Sequence, residues 1–140
     1  MKSAQLSIIL KSVTTSDSEF LFNLLQKRDS KVNISHKKMP TYNQHIKFLK
    51  SKPYSKWYII ILEKQKIGSI YLSKQNEIGI FLMKSCDVDD IRLKSLITLM
   101  KKNPRKRYLA NVNPNNKKLI SFWKKNNFSL VSYSYELDKN

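Results

Sequence analysis

Apolar positions along this chain follow two periods, and each marks a different kind of element. Continuous or alternating runs of β-branched and aromatic residues predict strands over residues 6–13, 57–62, 67–72, 77–82 and 108–112. The three middle runs are separated only by short polar turns at 63–66 and 73–76, which makes them an antiparallel meander. Residues 130–137, in which SYSY alternates inside an apolar frame, are expected to close the sheet as its last strand, with 138–140 a tail.

Helical spacing fills the intervals. Phe20, Leu21, Leu24 and Leu25 form one stripe behind Ser16-Asp17-Ser18-Glu19, a capping box that opens a helix running to about Arg28. Thr41 and Gln44 make a second capping box, and in the short helix behind it His45 lies one turn from Phe48 and Leu49. Asp87 and Asp90 form a start signal before Ile91, Leu93, Leu96, Ile97 and Met100, with a carboxylate expected to cap the first-turn N–H groups. Pro114 ends the 108–112 strand, and Asn115 or Asn116 then caps a helix. Its Leu119, Ile120 and Trp123, with Phe128 beyond, share one face, while Lys117, Lys118, Lys124 and Lys125 take the other. Residues 29–40 lack periodicity and read as a mobile basic loop. The order implies one mixed α/β (α+β) domain over 1–140, a central, mostly antiparallel twisted sheet flanked by helices.

Charge and composition narrow the function classes. The net charge of +17, from 27 basic and 10 acidic residues, invites an anionic partner. All but four of the basic residues (Arg28, Arg92, Arg105, Arg107) are lysine, a bias that AT-rich codon usage explains. A nucleic-acid surface more often uses arginine, so nucleic acid stays a secondary expectation, resting on Lys37-Lys38 and residues 101–107. The longest apolar run, 57–62, is too short to span a bilayer, and no targeting signal is visible, so no membrane partner and a cytoplasmic location are expected. A lone Cys86 and the histidines His36 and His45 have no metal-ligand spacing, and no metal is expected.

Two stretches carry a family resemblance. NVNPNNKKLISFWKKNNF, with Asn116, Lys125 and Phe128 in place, resembles the C-terminal motif of the GNAT superfamily of N-acyltransferases, and Ile67-Gly68 and Glu77-Ile78-Gly79-Ile80 resemble its strand signatures. The resemblance implies the GNAT fold, in which the central strand bulges and splays from the next so that the pantetheine of acyl-CoA enters as a surrogate strand. It implies acetyl-CoA as co-substrate, held by Ile80, Phe81, Leu82, Asn111, Asn116 and Trp123, and a primary amine as acceptor. Among subgroups, the second helix and the Glu-Ile-Gly-Ile strand look most like acetyltransferases of amino-sugar nucleotides. A monomer or homodimer is expected.

Such chemistry must deprotonate the amine, stabilise the oxyanion and release the thiolate. Glu77 matches a recurrent GNAT base position; as a strand residue it also reads as a solvent-facing carboxylate. His45 reads as an acceptor-site residue, since imidazole titrates near neutral pH, or as a helix histidine packed between aromatics. Trp123 replaces the family's tyrosine acid, which leaves Tyr133 and Tyr135 as candidate acids. Leu119 and Trp123 together are expected to narrow the cleft. Where the family has a Gly-rich pyrophosphate loop, this chain has Asp87-Val88-Asp89-Asp90-Ile91-Arg92. A carboxylate about 4 Å from a phosphate oxygen costs several kcal/mol at an effective dielectric near 20, so Asp87, Asp89 and Asp90 are expected to weaken acyl-CoA binding. The alternative is therefore a catalytically degenerate GNAT domain that binds a protein, nucleotide or nucleic-acid partner.

Overall fold

The structure, a computed structural model, describes residues 7–27 and 39–139. Most of the loop expected over 29–40 lies outside the described residues, as do Arg28, His36, Lys37 and Lys38.

Among the described residues five strands and four α-helices follow in the order β1 (Ile8–Ser12), α1 (Ser18–Gln26), α2 (Tyr42–Lys50), β2 (Lys56–Leu62), β3 (Gln65–Leu72), β4 (Glu77–Leu82), α3 (Asp89–Lys102), β5 (Leu109–Ala110) and α4 (Lys117–Lys125). The sheet order is β1-β2-β3-β4-β5; the first four strands are antiparallel neighbours and β5 runs parallel to β4. The meander is thus as predicted, and Thr41 and Gln44 form their capping box. Asn116 caps α4, its side-chain oxygen accepting from the Leu119 N–H at 3.2 Å. No helix among the described residues is long and apolar enough to cross a membrane.

Strand alternation divides the core between two faces. Leu10, Tyr58, Ile60, Ile70, Leu72, Ile78 and Ile80 join Leu96, Leu99, Phe122 and Trp123 in one cluster under α3 and α4. On the other face Ile59 packs with Leu21 of α1 and Leu49 of α2. Two buried apolar side chains lie off the predicted stripes, Leu99 in α3 and Phe122 in α4. Both complete the face their helix turns to the sheet.

Four expectations need correction. The first helix is capped two residues earlier than its sequence suggests: the Asp17 carboxylate accepts from the Thr14 N–H at 2.9 Å, and a 3-10 turn (Thr15–Asp17) leads into α1. Asp17 is fully buried and also receives Lys11 at 2.9 Å and Lys66 at 2.8 Å, so partners from two strands decide which carboxylate caps. The irregularity expected in the central strand lies instead between β2 and β3, where Ile60 faces Gly68 and Ile61 faces Lys66, leaving Ile67 as the extra residue. The strand expected over 108–112 pairs only at Leu109 and Ala110. Finally, 130–137 forms no strand and is exposed throughout. The edge nearest to it in sequence is that of β5, a two-residue strand too short to hold a ladder by itself.

Candidate active site

The meander brings aromatic residues from β2, β3 and β4 onto the face covered by α1 and α2. Successive strand residues point to opposite sides, so Trp57, Ser69, Tyr71 and Phe81 share this face. They line a cavity of about 400 Å³ with Leu21, Leu24, Leu25, Gln44, His45, Phe48 and Tyr54. Tyr54 stacks on Tyr71 with ring centroids 3.8 Å apart and planes 5° from parallel, and Trp57 stands edge-on to Tyr54 at 4.9 Å. Rings that brace one another in this way form walls instead of filling the space between them.

Glycine makes this wall possible. A Cβ on Gly79 would lie 2.1 Å from the Tyr71 ring, which therefore occupies the space above the β4 backbone. At Gly79 the glycine accommodates this close approach, and the β3–β4 register runs through it without a shift. His45 is 5% exposed, with Phe22 at 5.4 Å and Tyr42 at 6.4 Å between ring centroids, and it also lines the cavity. This histidine thus packs among aromatics and also faces the open space.

Beside the cavity the sheet opens. β4 and β5 pair only at Glu77–Leu109 and Ile78–Ala110, so residues 79–82 have β3 on one side and no strand of the described residues on the other. Glu77 sits at the closed end of this gap. Its Oε1 accepts from Ser73 Oγ at 3.0 Å and its Oε2 from Asn111 Nδ2 at 2.5 Å, so two residues expected to serve different roles meet as a clasp across the strands. Glu77 does not line the cavity, whereas Phe81 does, and Ile80 and Leu82 turn to the α3/α4 core.

The remaining predicted residues lie apart from the cavity. Asn116 is a helix cap, and Trp123 is buried in the core with its indole Nε1 lacking a hydrogen-bond partner among the described residues. Leu119 packs at the edge of the same core. Tyr133 and Tyr135 are 76% and 94% exposed and line no part of the cavity. Tyr54, Trp57 and Tyr71, which sequence reading did not single out, form its walls. Their signal was the concentration of aromatic residues on one strand face, which is read only once the register is known.

The start of α3 departs from expectation. Val88 is its N-cap and no side chain caps it. Asp87 and Asp89 instead bind the Arg92 guanidinium, which is 4% exposed and lies over the Phe122 ring at 5.1 Å. Lys118 of α4 also reaches in, donating to the Asp87 carbonyl at 2.6 Å. A guanidinium engages carboxylates more strongly than a backbone amide does, and it draws them off the helix end. Arg92 and Lys118 thus place positive charge beside Asp87 and Asp89.

No protein-family model matches the chain, and no curated protein matches it by sequence. Solved structures do match in fold. A domain from Methanocaldococcus jannaschii superposes with a TM-score of 0.75 at 20% identity, covering 94% of each chain. RimL, a ribosomal-protein alpha-N-acetyltransferase in complex with coenzyme A, matches with a TM-score of 0.68 at 18% identity, over 90% of this chain and 82% of its own. The spermidine/spermine N-acetyltransferase SpeG of Vibrio cholerae matches with a TM-score of 0.67 at 14% identity, over 87% and 79%. The chain therefore has the GNAT fold.

Proposed function

We propose that this chain transfers an acyl group from acyl-CoA, acetyl-CoA in the simplest case, to a primary amine. The observation that carries the reading is the gap between β4 and β5, open beyond Ile78 and flanked by the aromatic cavity. Residues 79–82, past the point where the β4–β5 ladder ends, offer a strand edge to the pantetheine and a backbone N–H to the developing oxyanion. The amine lies in the cavity, where His45 takes its proton as the nitrogen attacks the thioester carbon and the thiolate departs. Glu77, with both oxygens engaged, holds the closed end of the gap, and solvent supplies the thiolate's proton.

The cavity also bears on the acceptor. No Asp or Glu is among its described lining residues, so a polyamine would find no counter-charge there. An amine on a body with C–H faces suits walls of Tyr54, Trp57 and Tyr71. An amino-sugar nucleotide is such an acceptor, its sugar against the rings and its phosphates toward a surface of net charge +17.

One observation favours a second reading, a GNAT-fold module that binds a protein, nucleotide or nucleic acid without acyl transfer: residues 83–90 contain no glycine for a phosphate-cradling loop. Calorimetric titration with acetyl-CoA separates the two. Micromolar to sub-millimolar binding, followed by acetylation of an amino-sugar nucleotide in preference to spermidine, is expected, and His45→Gln should flatten the pH–rate profile. No heat and no thermal shift at millimolar acetyl-CoA would leave only the binding module.

A further inference from the structure

One small hydroxyl stands among the rings of the cavity. Ser69 lies in the middle of β3, paired with Ile59 of β2 on one side and Phe81 of β4 on the other, and its side chain lines the open space. The residue is 3% exposed. Its oxygen opens on the cavity, and no group of the described residues hydrogen-bonds it. Asp17, Ser18, Ser73, Arg92, Ser95 and Asn103 are buried as well, and each is hydrogen-bonded within the chain. An unpaired buried hydroxyl destabilises a fold, and alanine would leave the same room for the cavity without that cost. Ser69 is therefore a polar group that the fold does not use.

We propose that Ser69 selects the acceptor: its hydroxyl hydrogen-bonds an oxygen substituent next to the amine, so that the site takes a vicinal amino alcohol, the class to which amino sugars belong, in preference to a plain alkyl amine. This rests on the acyl-transfer reading, and adds to it the group by which the acceptor is recognised.

Register places the hydroxyl for this task. Its neighbour Phe81 belongs to the stretch of β4 that lies past the end of the β4–β5 ladder. Adjacent strands are about 4.8 Å apart, so Ser69 stands one strand inward from the edge where the thioester lies in that reading. It meets the body of the acceptor close to the nitrogen and leaves the nitrogen itself to His45. A serine hydroxyl both donates and accepts, so it pairs with another hydroxyl in either sense. Gln44, also on the cavity wall, has its Oε1 committed to the Thr41 N–H at 2.9 Å. The rings of Tyr54, Trp57 and Tyr71 offer broad apolar contact, which discriminates poorly between bodies of similar shape. A polar group set among them does discriminate, because an analogue lacking the matching hydroxyl covers Ser69 and leaves it unpaired.

Two probes that differ by one hydroxyl test it, cyclohexylamine and trans-2-aminocyclohexanol, with acetyl-CoA as donor. The quantity read is the ratio of their kcat/KM values, compared between wild type and variants of the full chain so that the different basicities of the two amines cancel. Ser69→Ala should lower the preference for the amino alcohol about 5- to 10-fold, the loss falling on the amino alcohol and not on cyclohexylamine, and Ser69→Thr should keep the preference. The melting temperature of Ser69→Ala should equal or exceed that of wild type, since no bond of the fold is removed. An unchanged ratio in Ser69→Ala would overturn the proposal. So would a fall in its melting temperature, which would assign the hydroxyl to the fold. If neither amine is acetylated, acyl transfer fails as the function, and the ratio of the two dissociation constants by NMR titration decides the role of Ser69 separately: the same 5- to 10-fold shift upholds it, and no shift refutes it.

Discussion

The two faces of this sheet are finished differently. Under α3 and α4, Ile60, Ile70, Leu72 and Leu99 are all 0% exposed and the space is filled. Under α1 and α2 the same strands present rings that stand against each other and leave about 400 Å³ open. A close-packed face holds the strands in place, so the other can carry a cavity without losing its shape. Aliphatic side chains suit the first task and mutually braced aromatics the second.

One chemical change applied to both faces is the severest test. Leu99→Ala should cost about 3 kcal/mol, because a filled site cannot collapse around the loss, whereas Leu25→Ala at the cavity wall should cost about 1 kcal/mol. Urea unfolding of the pair measures this, and equal losses would erase the distinction between the faces.

Next in size is Asp17, which ties β1, β3 and the start of α1 together. Burial raises its carboxyl pKa, but hydrogen bonds from Lys66, Thr14 and Lys11 outweigh burial and lower it from 3.8 to about 2. A lowered folded-state value stabilises the protein above the unfolded value. That contribution, about 2 kcal/mol, is full above about pH 5 and is lost as pH falls toward 2. Asp17→Asn should remove it at neutral pH and flatten that part of the acid-unfolding curve. An unchanged acid midpoint would refute the assignment.

Gly79→Ala probes the cavity face alone. The new methyl must displace the Tyr71 ring, so a loss of about 1 to 2 kcal/mol is expected, with loss of the Tyr54–Tyr71 stack visible in near-ultraviolet circular dichroism. Full stability with an intact aromatic signal would show that the wall is soft. The smallest effect belongs to Glu77→Gln, which keeps an acceptor for Ser73 but sets an amide opposite Asn111. Stability should change by less than about 1 kcal/mol. If the acyl-transfer reading holds, turnover should keep its pH dependence, and a turnover lost in proportion to Glu77 ionisation would return the base role to this residue.

Local signals were legible where a few neighbouring residues carry them. Thr41 and Gln44 cap a helix because both partners lie within one turn. Residues 57–82 form a meander because short turns leave the runs no other neighbour. The candidate site was legible only in outline. The Glu77–Gly79 strand and its parting from β5 followed from the motif, but the walls Tyr54, Trp57 and Tyr71 come from a loop and two strands whose alignment no local pattern reveals.

By itself, then, the sequence determined the number, type and order of most elements, since hydrophobic period and capping chemistry act over a few residues. Only the tertiary structure decided which charges meet. Asp17 is held by Lys66 from 49 positions away, and Asp87 and Asp89 turn from the helix end to Arg92 because Phe122 and Lys118 of another helix make that corner favourable. It also left residues 130–137, strand-like in every local respect, out of regular structure, since the sheet edge nearest to them in sequence, that of β5, is only two residues long.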